Sequence, residues 1–406
     1  MSQPAPINSI IKDNTVQNSM VKVQLKGLNG IRTIAAMAVV IFHIGVELKA
    51  FGFESTTRTD LGGFGVSMFF SLSGFLITYL LLIEKARFGN VSIKDFYIRR
   101  VLRIWPLYFL YLTLALITMY VYLPESLPGS LAYYLFLGAN IPYIFGTTLP
   151  LLIHYWSLGV EEQFYLFWPW VIRKSKNILR FLIIFTVVFI VIKLGLRYIN
   201  ATTEYKWPYQ AWHVTRFDCM TIGAIGAFFF YHKNPLFLKV VYSVPAQILA
   251  WSVVVLMLFN KFHIASVLDS EFLAALTVVM IVNVSTNPKT LVNLDKPVFD
   301  FLGKISYGIY VYHAIIIFFT IEWLGFFIQR LPIVPRYMFV FTFIPLVTFL
   351  VSYLSYEYFE KRFLRIKSQH ARVKSSDTKT WIETQPLNPD PVVLPDTAKV
   401  RASQVD

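Results

Sequence analysis

Apolar residues run along this chain in blocks of about twenty, the length a helix needs to cross hydrocarbon. The blocks read as 28–48, 63–83, 102–123, 152–172, 178–198, 215–231, 240–259, 270–285, 302–322 and 337–356, with an ambiguous stretch at 130–146. In lipid the backbone must satisfy its own hydrogen bonds, so each block predicts a helix. The pattern predicts an all-α membrane protein, a polytopic bundle of about ten transmembrane helices.

Charges between the blocks orient them. The segment from Glu84 to Arg103 carries Lys85, Arg87, Lys94, Arg99, Arg100 and Arg103; by the positive-inside rule it is cytoplasmic, and so is the amino terminus. From Leu123 to His154 there is no Lys or Arg, whereas Arg173, Lys174, Lys176 and Arg180 follow the next block. One crossing separates the two, and 130–146 reads as a re-entrant or interfacial piece. The same rule puts Lys233 with Lys239, Lys289 with Lys296, and Lys361, Arg362, Arg365 and Lys367 inside, so both termini are cytoplasmic. Three regions follow: a polar segment 1–26 without the apolar core of a signal peptide, a transmembrane domain 27–365, and a polar, proline-bearing tail 366–406 expected to be flexible.

Composition agrees. Of 406 residues, 56% are hydrophobic and 15% charged, too few charges to clothe the cores of a soluble chain this long. The formal net charge of +14 would suggest nucleic acid in a soluble protein. Here the basic residues flank apolar blocks and the expected surface partner is the lipid bilayer, with no nucleic acid. The single cysteine, Cys219, excludes a disulfide framework and a thiolate zinc site, and no metal is expected.

An ionisable side chain in a membrane span costs about 2.5 to 3.5 kcal/mol at mid-helix, so each one marks a candidate site. In the first block Arg32 stands at the cytoplasmic mouth and His43 eleven residues further on. Eleven residues turn about 1,100° and rise about 16 Å, which puts both on one face. Histidine suits proton removal from an alcohol near neutral pH; its alternative here is helix packing, and that of Arg32 is snorkelling to lipid phosphate. The second block, Gly62-Gly63-Phe64-Gly65-Val66-Ser67 onward, reads as a small-residue packing seam. Arg99, Arg100 and Arg103 open the third block, as topology determinants or as forks for phosphate.

The richest stretch is His154-Tyr155-Trp156-Ser157-Leu158-Gly159-Val160-Glu161-Glu162-Gln163-Phe164-Tyr165. Adjacent carboxylates beside a glutamine in an apolar block point to a polar cavity, or to pairing with a buried arginine. Glu161 and Glu162 differ by about 100° on a helix and cannot both face one way. Arg216 and Asp218 stand too close in sequence to face each other. Ser306, Tyr310 and His313 share a face at i, i+4, i+7. Trp156, Ser157, Gln163, Tyr165, Arg216, Asp218, Ser306, Tyr310 and His313 form a second tier, for which a structural role is the favoured alternative.

In order and spacing these motifs resemble the acyltransferase-3 membrane proteins, a family that includes polysaccharide and lipopolysaccharide O-acetyltransferases and nodulation-factor acetyltransferases. The resemblance covers about residues 25–365. It rests on Arg32 with His43, Phe70-Ser71-Leu72-Ser73-Gly74-Phe75, Arg99-Arg100 with Arg103 and Pro106, and Trp156-Ser157-Leu158 with Glu161-Glu162-Gln163-Phe164-Tyr165. Arg216-Phe217-Asp218 with Gly223, Ile305-Ser306-Tyr307 with His313, and Tyr356-Glu357-Tyr358-Phe359-Glu360-Lys361 complete it. The resemblance implies a ten-helix bundle of the bacterial cytoplasmic membrane that moves an acyl group, acetyl foremost, from acyl-CoA to a hydroxyl of a glycan or lipid-linked acceptor. It implies that His43 and Arg32 are essential, with the arginine cluster and the paired glutamates lining the site, and no permanently bound cofactor. One departure is Ser67, where relatives usually carry an acid; another is that a short tail follows the bundle where many relatives carry an esterase-like domain. Acceptor delivery is then expected within the membrane domain.

On this reading the phosphates of acyl-CoA dock on Arg99, Arg100 and Arg103, His43 acts as base or carries the acyl group, and Glu161 or Glu162 orients His43 or the acceptor. The alternative from another class is a proton-coupled secondary transporter of a lipid-linked sugar. It requires broken helices at matching places in two halves, which the apolar pattern does not show.

Overall fold

A helix forms at each of the ten apolar blocks, and close backbone contacts between glycine-bearing faces lock them together. The computed structural model describes residues 21–23, 25–54, 61–124, 129–264 and 267–375. Strand β1 (Val21–Val23) precedes α1 (Leu28–Val46), α2 (Leu61–Phe88) and α3 (Ile93–Tyr122). Then come two five-residue helices, α4 (Leu131–Leu135) and α5 (Asn140–Ile144), and a 3-10 segment (Pro150–Tyr155) running into α6 (Trp156–Lys174). Next are α7 (Ile178–Thr202), α8 (Trp207–Thr215), α9 (Phe217–Tyr231), α10 (Pro235–Val241), α11 (Val244–Leu258) and α12 (Asp269–Thr286). The described chain closes with α13 (Pro297–Lys304), α14 (Ser306–Gln329), α15 (Ile333–Ser355), a π segment (Tyr356–Glu360), α16 (Lys361–Gln369) and β2 (Val373–Ser375).

By length and composition seven of these helices can cross a membrane among the described residues, and eight if α10 and α11, bent by 52°, are one span. The expected ten differs at two places. Helix α6 carries Glu161, Glu162, Arg173 and Lys174, and α9 has 15 residues, about 22 Å at 1.5 Å per residue against a hydrocarbon core of about 30 Å. The ambiguous stretch 130–146 holds α4 and α5, both too short to span.

The glycine seam of α2 serves packing. A Cβ added at Gly74 would lie 1.9 Å from the Met220 carbonyl oxygen, and one at Gly223 would lie 2.1 Å from that of Ser71, so α2 and α9 meet backbone to backbone. At Gly65 the same atom would sit 2.5 Å from the Ala35 carbonyl oxygen, which brings α1 against α2. Helix α1 also packs on α14, and Gly303 lies against Asn29 just ahead of it. Two large buried apolar clusters fill the bundle.

The ends of the membrane domain are tied together. Strands β1 and β2 pair in parallel, Val21 beside Val373 and Val23 beside Ser375. The region expected to be a tail from residue 366 thus begins as the end of α16 and a strand; residues 1–20 and 376–406 lie outside the described residues.

Candidate active site

A cavity of about 420 Å³ opens between α1, α2, α3, α6, α14 and α16. Five basic side chains, Arg32, Arg99, Arg100, Arg103 and Lys367, line it against a single carboxylate, Glu161. Such an excess of positive charge in a partly dehydrated space favours an anionic ligand. The basic residues are held differently. Arg32 donates to Asn29 Oδ1 at 2.8 Å. Arg99 is buried, its guanidinium 3.4 Å from Glu84 Oε2 and 2.9 Å from the His370 carbonyl oxygen. The Arg100 guanidinium lies 5.7 Å from the ring centroids of both Phe96 and Tyr165. Among the described residues Arg103 has no ion-pair partner.

The two glutamates diverge, as their 100° separation requires. Glu161 faces the cavity and accepts from the Ser73 hydroxyl. Glu162 turns to α3, where its Oε2 accepts from Trp105 Nε1 at 3.1 Å. Among the described residues neither is hydrogen-bonded to His43, so of the two expected roles, orienting that ring or orienting the acceptor, this structure does not display the first. The ring is held by other groups.

His43 is half-buried near the end of α1. Its Nδ1 lies 2.9 Å from the Val39 carbonyl oxygen and 3.2 Å from Nε2 of His313. His313 in turn places its Nδ1 2.6 Å from the Tyr310 carbonyl oxygen. A carbonyl can only accept, so the network assigns the proton of each neutral ring to Nδ1. His313 Nε2 then accepts from His43 Nδ1–H, and His43 Nε2 keeps its lone pair. This is the atom a general base uses.

One helix face joins cavity to histidine. Ser306 and Tyr310 line the cavity, and His313, the next residue on that face of α14, bonds His43. The Tyr310 hydroxyl lies 2.5 Å from Ser157 Oγ and 2.8 Å from the His154 carbonyl oxygen. Ser306 itself donates to Gly303 O at the helix start. His154 is buried beside this face, its ring 4.8 Å from that of His313, with neither ring nitrogen hydrogen-bonded.

Several second-tier residues lie elsewhere. Gln163 exchanges two hydrogen bonds with Asn140, at 2.8 and 3.1 Å, and fastens α6 to α5. Trp156 stacks on Tyr143, ring centroids 5.2 Å apart, with the Arg216 guanidinium 5.7 Å from its ring. Arg216 donates to Gly63 O and Ser67 Oγ, each at 3.1 Å, so Ser67 meets this arginine with a hydroxyl where relatives usually present an acid. Asp218 is buried 3.8 Å from Lys193 Nζ, which pairs with Glu271 at 2.6 Å; it ties α9 to α7 and α12 and does not face Arg216. Tyr165 lines the cavity. Three contributors were absent from the candidate residues, although the sequence offered a signal for each. Lys367 lies in the last basic run, Ser73 in the glycine-rich block and His154 at the head of the richest stretch.

Fold and site together define an integral membrane protein with a cationic interior cavity and, further along the same face of α14 but outside the cavity lining, a half-buried histidine. The chain belongs to the acyltransferase-3 family, described as an acyltransferase domain, which matches residues 25–357. It is similar to O-acetyltransferase OatA of Staphylococcus aureus (strain NCTC 8325 / PS 47), 26% identical over 363 residues that cover 83% of this chain and 56% of that protein. It is also similar to SACOL0978 of Staphylococcus aureus (strain COL), whose name marks its O-acetyltransferase assignment as provisional, with 29% identity over 325 residues, 73% of this chain and 51% of that protein. The chain spans about half the length of these relatives. No solved structure matches it.

Proposed function

We propose that the protein is an O-acyltransferase of the bacterial cytoplasmic membrane that moves an acetyl group from acetyl-CoA to a hydroxyl of a glycan or glycolipid. In this reading ten helices cross the bilayer, both termini are cytoplasmic, and the cavity mouth beside Arg99, Arg100 and Arg103 faces the cytoplasm. The observation that carries the proposal is the single face of α14 on which Ser306 and Tyr310 line the cationic cavity while His313 holds His43. A basic cavity suits the diphosphate and phosphate monoester of CoA, and the similarity to OatA favours O-acetyl transfer over transport.

Arg100 and Arg103 take the phosphates, and the pantetheine arm runs past Arg32 along the shared face of α1. His43 Nε2 accepts the proton of the acceptor hydroxyl as that oxygen attacks the thioester carbonyl. The carbon–sulfur bond breaks, the CoA thiolate leaves, and the proton on His43 passes to it. If the thioester stops short of that depth, His43 Nε2 takes the acyl group first and hands it to the hydroxyl in a second step, with the same products. Glu161 holds Ser73 at the cavity wall. The stacked pair Trp156 and Tyr143, with Arg216 above it, forms a half-exposed platform for a sugar ring. It lies at the level of His43, since Phe42 packs at Gly62 and Arg216 at Gly63.

The test is CoA release from acetyl-CoA by purified protein in liposomes, with a glycan acceptor present, for wild type and His43→Ala. Loss of one positioned general base lowers turnover by roughly 10²- to 10⁴-fold, with the variant's melting temperature checked against wild type. Folded wild type that neither binds nor consumes any acyl-CoA would overturn the proposal.

A further inference from the structure

The mouth of the cavity is walled by chain that lies beyond the family match. The matched residues end at 357, yet Leu364, Lys367, Ser368, Ala371 and Val373 line the cavity. Leu364, Lys367, Ser368 and Ala371 stand at i, i+3, i+4 and i+7, one face of α16 and its continuation. Of the four basic residues of α16, Lys361, Arg362, Arg365 and Lys367, only Lys367 is on that face and lines the cavity.

The segment is fastened to the first turns of α3 and to the amino-terminal strand. Asp95 lies 3.5 Å from His370 Nδ1 and 3.7 Å from Arg372 Nε. Arg99 donates to the His370 carbonyl oxygen at 2.9 Å and divides the rest of its guanidinium with Glu84. Strand β2 pairs with β1. Arg99 is therefore engaged in holding the strap, and the strap adds a cation of its own, Lys367, to the cavity that Arg100 and Arg103 also line.

We propose that Lys367 is a phosphate-binding residue for the CoA portion of the donor, that Leu364, Lys367, Ser368, Ala371 and Val373 form the outer wall of the donor pocket, and that Arg99 is a positioning residue for that wall. This rests on the acyl-CoA reading given above. The ligand chemistry is a phosphate oxygen anion bound to an ammonium, supplied by either the diphosphate or the 3′-phosphate of CoA.

The experiment measures acetyl-CoA binding and turnover by the full chain in detergent for wild type, Lys367→Ala, Lys367→Arg and Lys367→Glu, with Arg362→Ala as the control on the exposed side of α16. Lys367→Ala should raise Kd and KM for acetyl-CoA roughly tenfold or more while kcat at saturation changes little. Lys367→Glu should raise them further, Lys367→Arg should recover most of the loss, and Arg362→Ala should match wild type. If the partner is the 3′-phosphate, 3′-dephospho-acetyl-CoA abolishes the difference between wild type and Lys367→Ala; if it is the diphosphate, the difference persists. Wild-type affinity in both Lys367→Ala and Lys367→Glu overturns this inference while leaving the acyl-CoA reading standing. A wild type that binds no acyl-CoA overturns both.

Discussion

Replacing His313 with leucine removes the group that accepts from His43 Nδ1 at 3.2 Å and leaves the Val39 carbonyl at 2.9 Å as the remaining partner. In the ground state His43 is neutral and this loss is modest. In the transition state the ring carries the hydroxyl proton and a positive charge, and a hydrogen bond to a charged group contributes about 1.5 to 3 kcal/mol. At 1.36 kcal/mol per decade, kcat should fall roughly 10- to 150-fold, nearer the lower figure because Val39 still accepts from the same atom. The KM for acetyl-CoA should hold, since the cations of the cavity are untouched. His313→Gln offers an amide oxygen to the same N–H and should recover part of the rate. The assay is steady-state CoA release at varied acetyl-CoA and acceptor concentrations, alongside thermal melts. A folded His313→Leu protein with kcat within about twofold of wild type would refute the argument that His313 supports the charged base.

Arg103→Ala should raise KM for acetyl-CoA roughly 10- to 150-fold with kcat largely kept, because a charge-assisted phosphate contact of about 1.5 to 3 kcal/mol is lost; a fall in kcat at unchanged KM would contradict it. Lys193→Met leaves Asp218 and Glu271 buried without their cation and should destabilise the protein by about 3 to 5 kcal/mol, read as a drop in melting temperature in detergent. An unchanged melt would dismiss the structural assignment of that trio. Gly223→Ala puts a methyl 2.1 Å from the Ser71 carbonyl oxygen and should cost about 1 to 3 kcal/mol or more in stability, seen as poor recovery of folded protein. Normal recovery would mean that α2 and α9 separate easily.

Much of this was legible in the chain because it depends on local periodicity. A helix at each of ten apolar blocks follows from block length, and the shared face of Ser306, Tyr310 and His313 and the divergence of Glu161 and Glu162 follow from 100° per residue; Arg216, by contrast, takes a left-handed backbone conformation at the start of α9. What each face meets is a tertiary fact. His313 and His43 are 270 residues apart, and they meet because α1 packs on α14. Gln163 binds Asn140 within the one stretch whose hydropathy was ambiguous. Arg99 and Arg103 look alike in sequence, yet the first lies within reach of Glu84 and the His370 carbonyl and the second does not. Lys367 fell among residues read only for their count of positive charge, a quantity that fixes topology and says nothing about direction.

The cost of burying charge then separates two kinds of ionisable residue in this bundle. Each charged side chain near mid-membrane costs about 2.5 to 3.5 kcal/mol on insertion scales, and some of these costs are offset internally. Lys193 sits among Asp218 and Glu271, and Arg99 against Glu84; removing one partner strands the other, so these residues hold helices together. Arg100, Arg103 and Arg216 have no ion-pair partner among the described residues, and Arg100 and Arg216 rest on aromatic faces, which hold a guanidinium without neutralising it. Two of these three line the cavity, and the third sits over Trp156 at the level of His43. An uncompensated cation is tolerable there only where water or an anionic ligand reaches it. On the proposed function, the unpaired arginines mark the path of the donor and the acceptor, and the paired ones mark the frame that holds the path in place.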